Sequence, residues 1–180
     1  MLTWFAKKQL DRFEREWNYD VGYMRSILND GGMDALMPMS AMTKISKYRR
    51  DVPADVYFTA GLLATRNGDC GPCLQLGARM AQRAGVPAET IRAVLSGDRD
   101  AMSEPVRLTY DFTRAVLARD GWDAGPREEL RKRYGPRAII SLAYAIASGG
   151  FYPAFKYALG VGHACQKIRV GELEVLPQPL

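Results

Sequence analysis

Three observations predict an all-α fold for this chain. Apolar residues recur at helical spacing along most of its length, Gly, Pro, Asn and Asp divide these runs at short intervals, and no strand-turn-strand pattern precedes the tail. The expectation is a single-domain helical bundle over residues 1–180, with about eight or nine helices joined by short connections.

The elements follow in order. Leu10, Phe13 and Trp17 form one stripe with Lys7, Lys8, Arg12, Glu14 and Arg15 on the other faces, describing an amphipathic first helix. Gly31-Gly32 ends the next segment. Four methionines crowd the stretch from Met33 to Met42 as flexible apolar filler, and Lys44, Lys47, Arg49 and Arg50 follow where cations suit a helix end. Asp51 and Pro53 open a helix through Thr65, which Asn67-Gly68 breaks. Asp69 is placed to cap a helix from Cys70 to about Ala84, stopped by Gly85. Pro87 starts a short helix with Ile91, Val94 and Leu95 facing inward, and Ser96-Gly97 ends it. Ser103-Glu104-Pro105 opens the next, with Val106, Tyr110 and Leu117 on one stripe to about Arg119. Gly125-Pro126 begins a charged helix around Leu130, and Gly135-Pro136 separates it from a last, apolar one. Residues 166–180 read as an extended, loosely held C-terminal arm in which Ile168, Val170, Leu173 and Val175 alternate.

Composition narrows the function classes. At 180 residues and 47% hydrophobic, the chain can bury a substantial core, which excludes general disorder. Its net charge of +5 is spread out, with dense clusters only at Arg49-Arg50 and Arg131-Lys132-Arg133, so no nucleic-acid partner is expected. From Ala138 to Phe155 no residue is charged, but Ser141, Ser148, Gly149, Gly150 and Pro153 interrupt the run, so a buried helix or subunit contact is expected rather than a membrane span. The first residues carry no secretory signal pattern, so a cytoplasmic location is expected. Three cysteines do not make a disulfide framework, and one His without a second cysteine pair does not make a common zinc site, so neither metal nor organic cofactor is expected.

One motif carries specific chemistry: Cys70-Gly71-Pro72-Cys73. Two cysteines so spaced at a helix start can close a disulfide with little backbone movement, and the helix dipole favours a thiolate there. A thiolate is the nucleophile of both disulfide exchange and peroxide reduction, and its neighbour resolves the product. Thioredoxins place the same tetrapeptide after a strand, whereas here a helix precedes it. Two alternatives stand beside the redox reading: a pair of small packed thiols, and a partial zinc site completed by His163 and Cys165 or by another subunit. Cys165 by itself reads as a free thiol.

Around this motif, from about Asp55 to Arg119, the chain resembles the carboxymuconolactone decarboxylase and alkyl hydroperoxidase D-like family. The residues that carry the likeness are Asn67-Gly68-Asp69-Cys70-Gly71-Pro72-Cys73, the helix to Ala84, the segment Gly85 to Val94 and the helix from Ser103 to Leu117, within a core region of 51–120. The resemblance implies a hydroperoxidase D-like helical subunit assembled as a homotrimer or homohexamer. It further implies that Cys70 and Cys73 reduce a small peroxide or disulfide substrate and are recycled by a dithiol reductant. By the family pattern Cys73 is the peroxidatic residue and Cys70 the resolving one. A non-catalytic or decarboxylase-like member, serving as an oligomeric binding or scaffold protein, is the alternative.

The family's proton-relay positions, a Glu before the motif and a His after it, are occupied here by Phe58 and Gly77. Phe58 is expected to fill the space left at Gly77. Such an apolar contact would desolvate Cys73 and raise its pKa, leaving Cys70 with the benefit of the dipole and hence as the competing nucleophile. Tyr57, Arg66, Gln75, Arg79 and His163 are the candidates for a replacement relay.

Overall fold

The structure is a computed structural model describing residues 2–164 and 167–177, so Cys165, and with it the zinc alternative that uses it, lies outside the described residues. Over them the chain forms eight helices and a terminal hairpin: α1 (Leu2–Trp17), α2 (Gly22–Ile45), α3 (Ala54–Asn67), α4 (Gly71–Arg83), α5 (Ala88–Ser96), α6 (Glu104–Ala118), α7 (Ala124–Tyr134), α8 (Pro136–Ala158), β1 (Ile168–Val170) and β2 (Leu173–Val175). The all-α expectation holds. Gly32, at φ 72° and ψ −164°, divides α2 into two helical runs, the break expected at Gly31-Gly32.

α3 is the centre of the molecule. Val56, Tyr57, Thr59, Ala60, Leu62, Leu63, Ala64, Thr65 and Arg66 are all buried on it, because α8, α6, α4 and α5 each pack against it. A helix covered on so many sides must be apolar or satisfied around most of its circumference. Arg66 meets this demand only through Nη1, which donates to the carbonyls of Val94 (3.3 Å) and Leu95 (2.8 Å) near the end of α5, while its buried Nε and Nη2 have no hydrogen-bond partner among the described residues. Those carbonyls lack intrahelical partners, and a guanidinium is well matched to them.

α8 crosses α3 on a row of small residues. A Cβ at Gly149 would stand 2.7 Å from the Gly61 carbonyl oxygen and 2.8 Å from the Ala64 Cβ, and one at Gly68 would stand 2.5 Å from the Pro153 Cβ. The close approach needs glycine at these points. The buried face of α8 runs through Ala138, Ser141, Leu142, Ala145, Ser148, Pro153 and Lys156, while Ile140 and Tyr144 are exposed on the other. Among the described residues, α8 is the one helix long and apolar enough to cross a membrane. Of the methionine-rich stretch only Met39 is buried, and Met37 is 61% exposed.

The described part of the C-terminal arm is held more firmly than expected. β1 and β2 pair antiparallel, Ile168 opposite Val175 and Val170 opposite Leu173. Alternation aims Ile168, Val170 and Val175 at Leu74, Ala78, Ile91 and Leu95, completing an apolar cluster over α4 and α5. The Gln75 side chain donates to the Arg169 carbonyl (2.9 Å) and accepts from its N–H (2.8 Å), as a neighbouring strand would. Two apolar faces meeting outweigh the terminal prolines that suggested a loose end.

Candidate functional site

The turn between α3 and α4 sets the two cysteines. Asp69 takes a left-handed conformation (φ 49°) that reverses the chain after Gly68, and Cys70, extended at φ −116°, occupies the N-cap position. Asp69 therefore is not the cap, a correction to the sequence expectation. Pro72 lies in the first turn, where its missing N–H is no loss. The Gly71 N–H donates to the His163 carbonyl at 3.1 Å, tying the segment after α8 over the helix start.

The Cys70 and Cys73 sulfurs are free thiols 2.6 Å apart, about half an ångström beyond disulfide bonding distance. Cys70 has no solvent-accessible surface and Cys73 is 8% exposed. The Cys70 pKa is lowered to about 6, first because a thiolate there receives the hydrogen bond from Cys73, against the opposing effect of burial. The Cys73 backbone amide, the Lys156 charge and the His163 backbone amide add to the lowering. The Cys73 thiol is pushed strongly upward by that same hydrogen bond and by burial. One proton is thus shared by the pair, and its negative charge resides on Cys70.

A consequence is a pH profile. The rate of Cys70 alkylation in the reduced protein is expected to rise with a midpoint near pH 6 and to level off above about pH 7, because an acid with a lowered pKa is already thiolate there. A midpoint at an ordinary thiol value, near 8.5, in a rate-against-pH titration contradicts this assignment.

Three groups that sequence reasoning missed surround the pair. The Tyr19 hydroxyl lies 4.0 Å from the Cys73 sulfur, and the Lys156 ammonium lies 3.5 Å from the Tyr19 hydroxyl. Lys156 is buried, 5% exposed, with its Nζ 5.3 Å from the Tyr19 ring centroid and 5.0 Å from that of Tyr23. None of the ion pairs among the described residues includes it. Two aromatic faces and one hydroxyl are therefore what hold a buried cation in place. Tyr19 and Tyr23 have their pKa values raised, burial being the main cause, so both remain protonated hydrogen-bond donors. A cleft of about 240 Å³ beside the motif is lined by Asp20, Tyr23, Ser26, Pro72, Lys156 and His163, among others.

The expected relay groups are dispersed. Tyr57 donates to the Ser46 carbonyl, Arg66 serves α5, Gln75 holds β1, and Arg79 donates to the carbonyls of Trp17 and Asn18. Only His163 comes near the motif, through its main chain and through the cleft.

The space at Gly77 is closed by Leu62, whose Cδ2 would be 3.2 Å from a Cβ placed there. No Phe58 atom comes within 4 Å of that point. Phe58 instead packs its ring edge-on to Tyr57, between two core clusters. The expected Phe58–Gly77 contact is thus corrected: Leu62, one turn further along α3, is the side chain that reaches Gly77. Because the far end of a leucine can yield, Gly77→Ala is expected to range from neutral to about 1 kcal/mol stabilising, the helix-propensity gain offsetting a small shift. Thermal melts of the variant check this.

The fold and site define a class: an all-helical protein with a buried vicinal cysteine pair at a helix N-terminus. Beyond that class, no protein-family model, no curated protein and no solved structure matches the chain.

Proposed function

We propose that the protein is a thiol-dependent peroxidase or disulfide oxidoreductase of the hydroperoxidase D-like type, working through Cys70 and Cys73. The observation that carries this reading is the 2.6 Å approach of two thiols at a helix start, with the negative charge drawn onto Cys70. A thiol with a pKa near 6 is mostly thiolate at neutral pH, the form that attacks peroxides and disulfides. The neighbouring thiol, with its sulfur 2.6 Å away, is placed to complete a disulfide. The helical order around the motif, with α4 followed by short α5 and longer α6, is that of the family it resembles.

The substrate in this reading is a small peroxide or disulfide, and a dithiol returns the pair to the reduced state. The protein works in the cytoplasm as a homotrimer or homohexamer. The open face of α8, with Ile140 47% and Tyr144 38% exposed and the Tyr144 ring edge-on to Tyr48, offers the apolar surface such an assembly needs.

A second reading is favoured by a different observation. Both sulfurs are buried, and Leu62 against Gly77 leaves no proton-transfer group at the family's relay positions, as in a binding or scaffold protein whose cysteines serve as packing.

One experiment separates the two. The reduced protein is treated with one equivalent of hydrogen peroxide, alkylated, and the mass of the peptide containing Cys70 and Cys73 is read. Rapid loss of two hydrogens from that peptide supports redox function, and two alkylated thiols after prolonged exposure support the scaffold.

A further inference from the structure

We propose that Tyr19 and Lys156 are the hydrogen-bond relay of the cysteine pair, with Tyr19 a catalytic residue bonded to the Cys73 sulfur and Lys156 the positioning residue that aims its hydroxyl. The inference rests on the redox reading above and assigns the step that reading leaves without an owner.

The argument begins with donors and acceptors. A lysine ammonium has only donors, whereas a tyrosine hydroxyl has one proton and can also accept. With Lys156 Nζ at 3.5 Å, the Tyr19 oxygen is occupied as an acceptor, and its single proton faces two acceptors, the Cys73 sulfur at 4.0 Å and the Tyr23 hydroxyl; a thiolate at Cys73 is the stronger of the two and draws it. Lys156 therefore acts on the sulfur through Tyr19. Its charge also favours the thiolate form of both cysteines directly. The other groups facing Tyr19 and the pair offer no substitute. Tyr23 on α2 stands edge-on to Tyr19 with ring centroids 6.5 Å apart and shares a side-chain hydrogen bond with Tyr19, so it bears on the pair through Tyr19; Tyr152 on α8 bears on Tyr23, and Asp20 and His163 line the neighbouring cleft. The Asp20 carboxylate is engaged at 2.7 Å by the Gly22 N–H.

The chemistry shows where the relay is needed. In the first step the Cys70 thiolate attacks a peroxide oxygen: an S–O bond forms, the O–O bond breaks, and the leaving oxygen takes up a proton and departs as alcohol or water. Cys70 is then a sulfenic acid. In the second step Cys73 gives up its proton as it attacks the Cys70 sulfur: an S–S bond forms, the S–O bond breaks, and the departing hydroxide takes up that proton and leaves as water. The peroxide gains two electrons and the pair loses two. Cys70 needs no help in the first step. Cys73, whose thiol is held protonated, needs stabilisation of its anion in the second, and again when a reductant attacks Cys70 and expels it.

The test follows the fate of the Cys70 sulfenic acid. The wild type, Tyr19→Phe and Lys156→Met, each reduced and checked for native circular dichroism, receive one equivalent of hydrogen peroxide and are quenched with dimedone and iodoacetamide at set times. The wild type is expected to form the disulfide with little dimedone adduct. Both variants are expected to accumulate the adduct on Cys70 and to close about tenfold more slowly, the kinetic counterpart of one pKa unit lost at Cys73. In Tyr19→Phe the closing rate shifts to higher pH, while the alkylation midpoint of Cys70 stays put. Tyr19→Phe removes a single oxygen, so it reports on the relay even where Lys156→Met does not fold. Closing at the wild-type rate in Tyr19→Phe, with sulfenic acid formed normally, overturns the relay and leaves the redox reading standing. Absence of both sulfenic acid and disulfide in the wild type overturns both.

Discussion

Replacing Cys70 with Ser is expected to slow the first reaction with peroxide by about thirtyfold or more, whereas Cys73→Ser is expected to leave that reaction fast and stop it at a sulfenic acid. The asymmetry follows from the charge on the pair. Cys70, with a pKa near 6, is about nine-tenths thiolate at pH 7, while an unperturbed thiol near 8.5 is about 3% thiolate. In Cys70→Ser the remaining Cys73 loses the neighbour that pushed its own pKa up, so it returns toward the ordinary value and reacts at the rate that small fraction permits. In Cys73→Ser a hydroxyl still donates to the Cys70 thiolate, so the nucleophile survives and only the resolving partner is lost. The family resemblance implies the reverse order, with Cys73 attacking first. Stopped-flow rates with hydrogen peroxide and a dimedone adduct mapped to position 70 or 73 decide between the two. A fast first step in Cys70→Ser, with the adduct on Cys73, sinks the assignment made from the structure.

The helical architecture was legible because its punctuation is local. Gly31-Gly32, Asn67-Gly68, Ser96-Gly97 and Gly135-Pro136 each fall at the boundary they suggested, since a residue that cannot continue a helix acts on its own neighbours. The Asp69 cap failed for an equally local reason: the chain reverses through a left-handed Asp69, so the N-cap position passes to Cys70. The cysteine pair was legible as a motif, and the opposite directions of its two pKa shifts were expected, but their causes were not: in place of a Phe58–Gly77 contact and the helix dipole, the hydrogen bond between the two sulfurs comes first and burial second.

The rest of the site was hidden by distance along the chain. Tyr19 lies 54 residues from Cys73 and Lys156 lies 137 from Tyr19, and no spacing rule joins such positions. A faint signal existed for Lys156. It is the one Asp, Glu, Lys or Arg between Arg137 and Lys167, and it falls in helical register with Ala138, Ser141, Ala145 and Ser148 on the buried face of α8. A lone cation on an apolar stripe is costly unless something meets it. A cation at the end of a helix is equally accounted for by the dipole, so the pattern by itself does not single out Lys156. The Gly77 expectation failed through choice of side chain: positions 58 and 62 lie one turn apart on α3, and Leu62 sits at the level of Gly77.

Gly149→Ala is expected to destabilise the protein by about 1–3 kcal/mol, lowering Tm by roughly 3–10 °C, while Gly150→Ala, one residue on, is expected to stabilise it by about 0.5–1 kcal/mol. Both substitutions gain the same helix propensity and restrict the unfolded chain equally. They differ only in what the new methyl meets. At Gly150 nothing lies within 4 Å, whereas at Gly149 it meets the Gly61 carbonyl oxygen at 2.7 Å, the Ala64 Cβ at 2.8 Å and the Thr65 amide nitrogen at 3.2 Å. These are backbone and near-backbone atoms of the central helix, and they cannot swing away, so α3 and α8 must separate. Separation bears on the site as well as on stability, because α3 leads through Gly68 into the cysteine turn and α8 carries Lys156 two turns beyond Gly149. Pro153, between them, rests against Gly68 and transmits any shift. Gly149→Ala is therefore expected to slow disulfide closure as Lys156→Met does, whereas Gly150→Ala leaves it unchanged. Paired thermal melts and closing rates for the two neighbours make the comparison, and equal behaviour of both variants refutes the tight crossing of α3 and α8.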